Sequence, residues 1–214
     1  MPNSKHDHLH TLPITERYPD DVWRAMNFAA AAHEHQIRKM SGSHYIVHPY
    51  GVLEIVRTVT DDVEVQMAAI LHDTVEDTDT TLEDIAREFT PRTASLVRGV
   101  TKDDSIEGWR DRNQDYLDFL GAKAEDGSVI IALADKIHNI SDMIESFGLY
   151  GDAMWDKFSA KGNDQVWWYT SVLAIGKNRL PDCPLNYQLE QLIEIFRARV
   201  VGSQARLATA LSTE

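Results

Sequence analysis

A histidine and three carboxylates appear where the chain has just been apolar. Met67-Ala68-Ala69-Ile70-Leu71 runs directly into His72-Asp73-Thr74-Val75-Glu76-Asp77. An imidazole beside a carboxylate is the mixed nitrogen and oxygen donor set that borderline divalent metals accept. At helical spacing His72 falls four residues before Glu76, and Asp73 four before Asp77, so the pairs would line neighbouring strips of one surface. For the run from Glu76 to Asp79 alone, a solvated acidic helix end is the plainer explanation, because charged runs are usually wet surface. Two ligands do not close a metal site, and two more residues share the oddity of a polar group after a hydrophobic run. His48 follows Tyr45-Ile46-Val47 and precedes Pro49; taken singly it is more often a hydrogen-bonded structural histidine. Asp135 lies inside "VIIALADKIHN", where a buried carboxylate without a partner would be costly, and Lys136 or Arg38 could pair with it.

These side chains need rigid elements behind them, and the periodicity supplies helices. "DDVWRAMNFAAAAHEHQIRK" opens on two aspartates and predicts a first long helix from Asp20 with Arg38 and Lys39 at its end, where cations suit the helix dipole. Pro49 suits the first turn of a second helix carrying Val52, Ile55, Val56 and Val59. Asp62 starts a third, which continues through "VEVQMAAILHDTVED". Thr80 or Thr81 caps a fourth with a glutamate soon after, and Pro91 opens a fifth. "IEGWRDRNQDYLDFLGAKAED" is the sixth. "SVIIALADKIHNISDMIESF" is the seventh, with Ile130, Leu133, Ile137, Ile140 and Ile144 on an apolar stripe. "NDQVWWYTSVLAIGKNRL" and "NYQLEQLIEIFRARVVGSQARLATAL" complete an all-α series without an alternating strand or a repeat. The expectation is one compact bundle of about eight to ten helices over residues 19–200. A polar tail precedes it (1–18, with His6, His8 and His10 read as frayed terminus rather than site), and a helix end follows it (201–214).

The bulk numbers agree with a single soluble unit. The 214 residues are 43% hydrophobic and 26% charged, with a net charge of −13. That balance argues against a nucleic-acid partner, which would need clustered Lys and Arg, so any phosphate ligand must be met by a few local cations or a metal. One cysteine, Cys183, cannot make an internal disulfide and fits a reducing compartment. No basic-then-apolar leader and no run near the ~20 residues of a membrane span is present. A cytoplasmic protein with no membrane partner is expected. Trp167-Trp168-Tyr169 could be core or the interface of a homo-oligomer; core is the expectation.

His48, then His72-Asp73, then Asp135 is the order that defines the HD superfamily of metal-dependent phosphohydrolases. The resemblance is closer still to the hydrolase domain of the RelA/SpoT family, which degrades the alarmone ppGpp. It rests on "AHEHQIRKMSGSHYIVHPYGV", "AAILHDTVEDT", "LVRGVTK" and "ALADKIHNI", in order, over roughly residues 20 to 200. The segment "FSAKGNDQVWWYTSVLAIG" looks like the close of the stand-alone small alarmone hydrolases, and the chain length implies a member without the synthetase domain.

The resemblance implies one divalent ion, Mn²⁺, held by His48, His72, Asp73 and Asp135. It assigns Glu76 and Asp77 to the attacking water, Arg38 and Lys39 to the pyrophosphate groups, Tyr45 to packing near the nucleotide and Asn139 to ribose or base. His138 is read as supporting rather than ligating. Two positions depart from the family: His44 replaces the usual proline before the tyrosine, and Ala132 replaces a lysine just before Leu133-Ala134-Asp135. The expected activity is hydrolysis of the 3′-pyrophosphate of ppGpp or pppGpp. The alternatives are another nucleotide in the same site (an adenine alarmone, or the 2′-phosphate of NADPH) and a non-catalytic nucleotide-binding domain.

Overall fold

The computed structural model describes residues 18–38, 41–158, 160 and 162–201, so the histidines of the N-terminal tail and Lys39 lie outside the described residues. Among the described residues there is no strand, and the only pairing of that kind is an isolated antiparallel bridge between Ile37 and His44. The all-α expectation holds. The helices are α1 (Asp20–Ala32), α2 (Val47–Arg57), α3 (Val63–Leu71), α4 (Thr74–Asp77), α5 (Leu82–Glu88), α6 (Pro91–Arg98), α7 (Trp109–Ala122), α8 (Asp126–Tyr150), α9 (Asn163–Arg179) and α10 (Pro184–Phe196). A 3₁₀ segment (Gly151–Lys157) links α8 towards α9, and a π turn (Arg197–Val201) extends α10. No helix among the described residues is long and apolar enough to cross a membrane.

The caps follow ordinary helix-end chemistry. Asp62 accepts hydrogen bonds from the Glu64 and Val65 amides at the start of α3. Thr81 and Asp84 form a capping box on α5, the acid being Asp84 rather than the neighbouring Glu83. Pro91 stands at the start of α6, with Thr90 as its cap.

At the centre are α3 and α8. Every residue of α3 from Val65 to Leu71 is buried, the pattern of a helix surrounded on all sides. The stretch of α8 from Val129 to Ile137 is likewise closed, Ile130 being its one half-buried residue, so the single apolar stripe read from sequence understates it. α8 packs against α2, α3, α9 and α10, and α3 against α1, α2 and α6. Trp168 and Tyr169 are buried in this core, as expected, and Trp167 is half-buried against it.

Two of the predicted helices end well before their pattern does, for reasons visible in the structure. α1 stops at Ala32, and the chain then makes a small hairpin-like loop: the Tyr45 amide donates to the Gln36 carbonyl (2.9 Å) and the Arg38 amide to the Ser43 carbonyl (2.9 Å). Gly42 turns the loop with φ +69°, a conformation that favours glycine. Arg38 therefore sits on this loop and not at a helix end, which removes the dipole explanation for it. The helix over "VEVQMAAILHDTVED" breaks at His72 and Asp73 into α3 and α4. The His72 Nδ1–H donates to the Ala69 carbonyl (2.8 Å) and the Thr74 hydroxyl to the Leu71 carbonyl (2.7 Å). Side chains thus take over carbonyls at the end of α3 and let the chain turn.

Candidate metal centre

The break between α3 and α4 aims His72 and Asp73 at α2 and α8. His48 projects from the first turn of α2, one residue inside the helix rather than just before it. His48, His72 and Asp73 each offer a donor atom within 4.8 Å of the others, and the two histidines are buried. His48 Nε2 lies 3.4 Å from Asp73 Oδ2 and 3.2 Å from Asp135 Oδ1, and His72 Nε2 lies 3.1 Å and 3.9 Å from the same two oxygens. The structure therefore gathers all four residues, taken from three elements up to 87 positions apart.

Whether a divalent ion fits is decided at His72. Its Nδ1 is committed to the Ala69 carbonyl, which leaves the Nε2 lone pair facing the cluster. That nitrogen is buried and makes no hydrogen bond, although Asp73 Oδ2 is close. An orphaned buried acceptor in a ring of carboxylates is what a cation would satisfy. The charge balance points the same way. Burial lowers the His72 imidazole, but Asp73 by charge and hydrogen bond, together with Asp135 and the Ala69 carbonyl, raises it to about 9, so the surroundings favour positive charge at this nitrogen. Burial would raise Asp135, but the Lys136 ammonium, with His48 and His72, keeps it well below the usual carboxylate range.

Of the two partners expected for Asp135, Lys136 is the one it has. Lys136 bonds its Oδ2, and Asn139, one turn along α8, donates to Oδ1. Lys136 is itself buried, with its ammonium 4.9 Å from the Trp168 ring centroid. Ala132 is buried inside α8, and Lys136 places an ammonium beside Asp135. His44 is exposed on the 41–45 loop.

Around the four, the other expected residues are placed unevenly. Tyr45 donates its hydroxyl hydrogen to Asp73 Oδ2 (2.7 Å), so it orients a carboxylate of the cluster as well as walling the mouth. Burial and then the Asp73 charge raise its phenol far above the usual range, which keeps that hydrogen in place. Arg38 pairs with Asp142 and donates to Asn139 Oδ1 (3.3 Å), so Asn139 bridges the arginine to Asp135. Asp77 is at the rim. Its surface is accessible, but partial desolvation and then the Asp73 charge raise its carboxyl.

Glu76 was expected to face the water directly. Its carboxylate instead takes the Lys102 ammonium at 2.8 Å and the Lys102 amide at 3.3 Å. Lys102 lies within "LVRGVTK", but a contact across 26 residues leaves no trace in the spacing. His33, Gln36 and Asp142, which touch Tyr45, Asp77 and Arg38, were also passed over in the sequence. His33 and Gln36 fall in the predicted continuation of the first helix, and Asp142 falls in the predicted seventh helix.

The chain resembles known proteins over this region. A family model described as HD domain matches residues 25–147. Over 134 residues it is 39% identical to the guanosine-3′,5′-bis(diphosphate) 3′-pyrophosphohydrolase of Aquifex aeolicus (strain VF5), covering 61% of this chain and 19% of that protein. Over 123 residues it is 42% identical to the guanosine-3′,5′-bis(diphosphate) 3′-pyrophosphohydrolase MESH1 of Danio rerio, covering 55% of this chain and 66% of that one. These alignments thus reach about a fifth of the first relative and just under two thirds of the second. A solved structure of a metazoan orthologue of SpoT, described as hydrolysing ppGpp and playing a role in starvation responses, matches with a TM-score of 0.68 at 29% identity, covering 86% of this chain and 98% of that one.

Proposed function

The chain belongs to the HD domain family, and from that premise we propose that it hydrolyses the 3′-pyrophosphate of ppGpp or pppGpp, giving GDP or GTP plus pyrophosphate. Mn²⁺ is the proposed ion, with His48, His72, Asp73 and Asp135 as its ligands. The observation that carries the reading is the buried His72 Nε2, free of hydrogen bonds and directed at two carboxylates and a second histidine. A bound divalent ion would offset charge on the phosphorus oxygens and lower the pKa of water.

The chain's own residues supply the rest. Asp77, its carboxyl raised by its surroundings, is the better base of the acidic pair, because proton transfer is most effective when the pKa approaches the working pH. Glu76, held by Lys102, orients the water and sets charge beside it. Arg38 is kept near the mouth by Asp142 and Asn139, and engages the diphosphate in place of Asp142; Lys39 adds a second cation. These few cations meet an anionic substrate in a chain of net charge −13. Tyr45 closes the site beside Asp73, and Asn139 stands ready for the ribose or base.

The test is metal content of the purified protein beside turnover on ppGpp, with released pyrophosphate and phosphate measured separately. Pyrophosphate release that depends on the ion supports the proposal. Phosphate release from NADPH with none from ppGpp would move the site to the other substrate class, and no turnover of any nucleotide would make the domain a binding module.

A further inference from the structure

Just past α1, His33 is 1% exposed and makes two contacts that lead to opposite sides of the site. Its Nδ1 lies 2.8 Å from Gln36 Oε1, and the Gln36 amide NH₂ donates to the backbone carbonyl of Asp77. Because Oε1 can only accept, the imidazole hydrogen is on Nδ1, and one line of donors runs from His33 through Gln36 to Asp77. The face of the ring lies against Tyr45, centroids 5.0 Å apart at 36°, and Tyr45 holds Asp73. The remaining ring nitrogen, Nε2, is buried and has no hydrogen-bond partner.

Asp77 needs such support. It is the last residue of α4, a helix of four residues, too short to hold its own end rigid. On the other side, Gln36 and Asp77 border an open cavity of about 630 Å³ between the end of α1 and α5, so packing does not hold Asp77 from that direction. A lone buried histidine is an expensive way to fill space, and a phenylalanine would pack against Tyr45 without leaving an unpaired nitrogen.

We propose that His33 is a positioning residue: through Gln36 it fixes the α4 end that carries Asp77, and through its ring it fixes Tyr45 against Asp73. The proposal rests on the reading of Asp77 as the group that handles water, but its first test needs no substrate.

His33→Phe keeps the ring contact and loses the Nδ1 donor. His33→Asn keeps a donor at that position and loses the ring. Gln36→Leu cuts the line at its middle. In the metal-loaded protein, amide hydrogen exchange over residues 74–78 should accelerate at least about tenfold in His33→Phe and Gln36→Leu, with α8 unchanged and His33→Asn nearer the parent. On ppGpp the same two variants should lose at least about tenfold in kcat, with KM and metal affinity within about twofold. The double variant should be no worse than either single one. Exchange over 74–78 at the parent's rate, exchange accelerated equally in α8, or additive losses would each overturn it. If His33→Phe fails to fold, Gln36→Leu and His33→Asn carry the test. A parent chain inactive on ppGpp would sink the proposed function while leaving the exchange result to decide this one.

Discussion

His138 on α8 stands directly behind His48 on α2, their Nδ1 atoms 3.1 Å apart. One hydrogen serves both nitrogens. If His48 presents Nε2 to a cation, its hydrogen is on Nδ1 and His138 must accept it. Burial and then the neighbouring His48 hold His138 down at about 4, so it is neutral and has the lone pair to do so. The two helices come this close because residue 51 is glycine: a Cβ there would fall within 2.2 Å of the His138 ring.

His138→Ala and Gly51→Ala should therefore both weaken binding of Mn²⁺, by about 10- to 100-fold. Titration calorimetry on the metal-free protein reads this directly. Alanine is the better helix former, so an effect through helix propensity alone would stabilise α2. Unchanged affinity in both variants would remove His138 from the support of His48.

Chelation should lower the thermal midpoint, and Mn²⁺ should restore it. At a hundredfold excess over Kd the ion contributes about 2.7 kcal/mol, roughly 5–10 °C for a domain of this size. His72→Ala/Asp73→Ala should abolish the shift. Scanning calorimetry with and without the ion decides it, and a parent protein indifferent to chelation would count against the centre.

Asp77→Asn should lower kcat by about 10²-fold or more with metal stoichiometry retained, as loss of a general base does. Glu76→Gln should act in the same direction. Lys102→Met should lower kcat less than Glu76→Gln does, because it loosens the carboxylate and leaves it in place. Steady-state turnover beside metal analysis separates chemistry from ion loss.

Away from the centre, Arg92 ties together the N-terminal ends of α3, α6 and α8 through Asp62 (2.9 Å), Glu64 (2.8 Å) and Glu125 (3.1 Å). The Arg92 hydrogen bond lowers Asp62, and the Thr90 hydroxyl and then Arg92 lower Glu64. Depressed carboxyls contribute stability above their unfolded pKa of about 4 and lose it as pH falls through the folded values. Arg92→Met should thus cost about 1 kcal/mol at pH 7, a modest figure because these groups are partly exposed. The difference from the parent should shrink towards zero near pH 3, as urea unfolding would measure. A difference that persisted in acid would assign the loss to packing of the arginine stem.

Much of the site was legible because two signals coincide in it. A polar residue directly after a run such as Met67–Leu71 or Val129–Ala134 has to be buried with it, and a buried carboxylate or imidazole needs a partner. Four such positions in a known order name the centre. Lys39, named from the same resemblance, lies outside the described residues. The residues that lie around the candidate centre carried no such mark. Lys102 looks like a surface lysine, Asp142 like an exposed helix acid, and His33 and Gln36 like one more turn of α1.

The sequence by itself determined the all-α class, the starts of α3 and α6 and the identity of the four converging residues, because periodicity and capping act within a few positions of the chain. Where α1 and α3 end was a tertiary decision. The loop pairing of Gln36 with Tyr45 and of Arg38 with Ser43 outweighs helix propensity after Ala32, and the His72 and Thr74 side chains take carbonyls that α3 would otherwise have used. The partners of Glu76, Arg38 and His48 were also chosen there. Each lies 26 to 104 residues away, at distances set by how α2, α4, α8 and the loops that carry Arg38 and Lys102 pack. Local propensity carries no information about a contact that forms only when separate helices share one core.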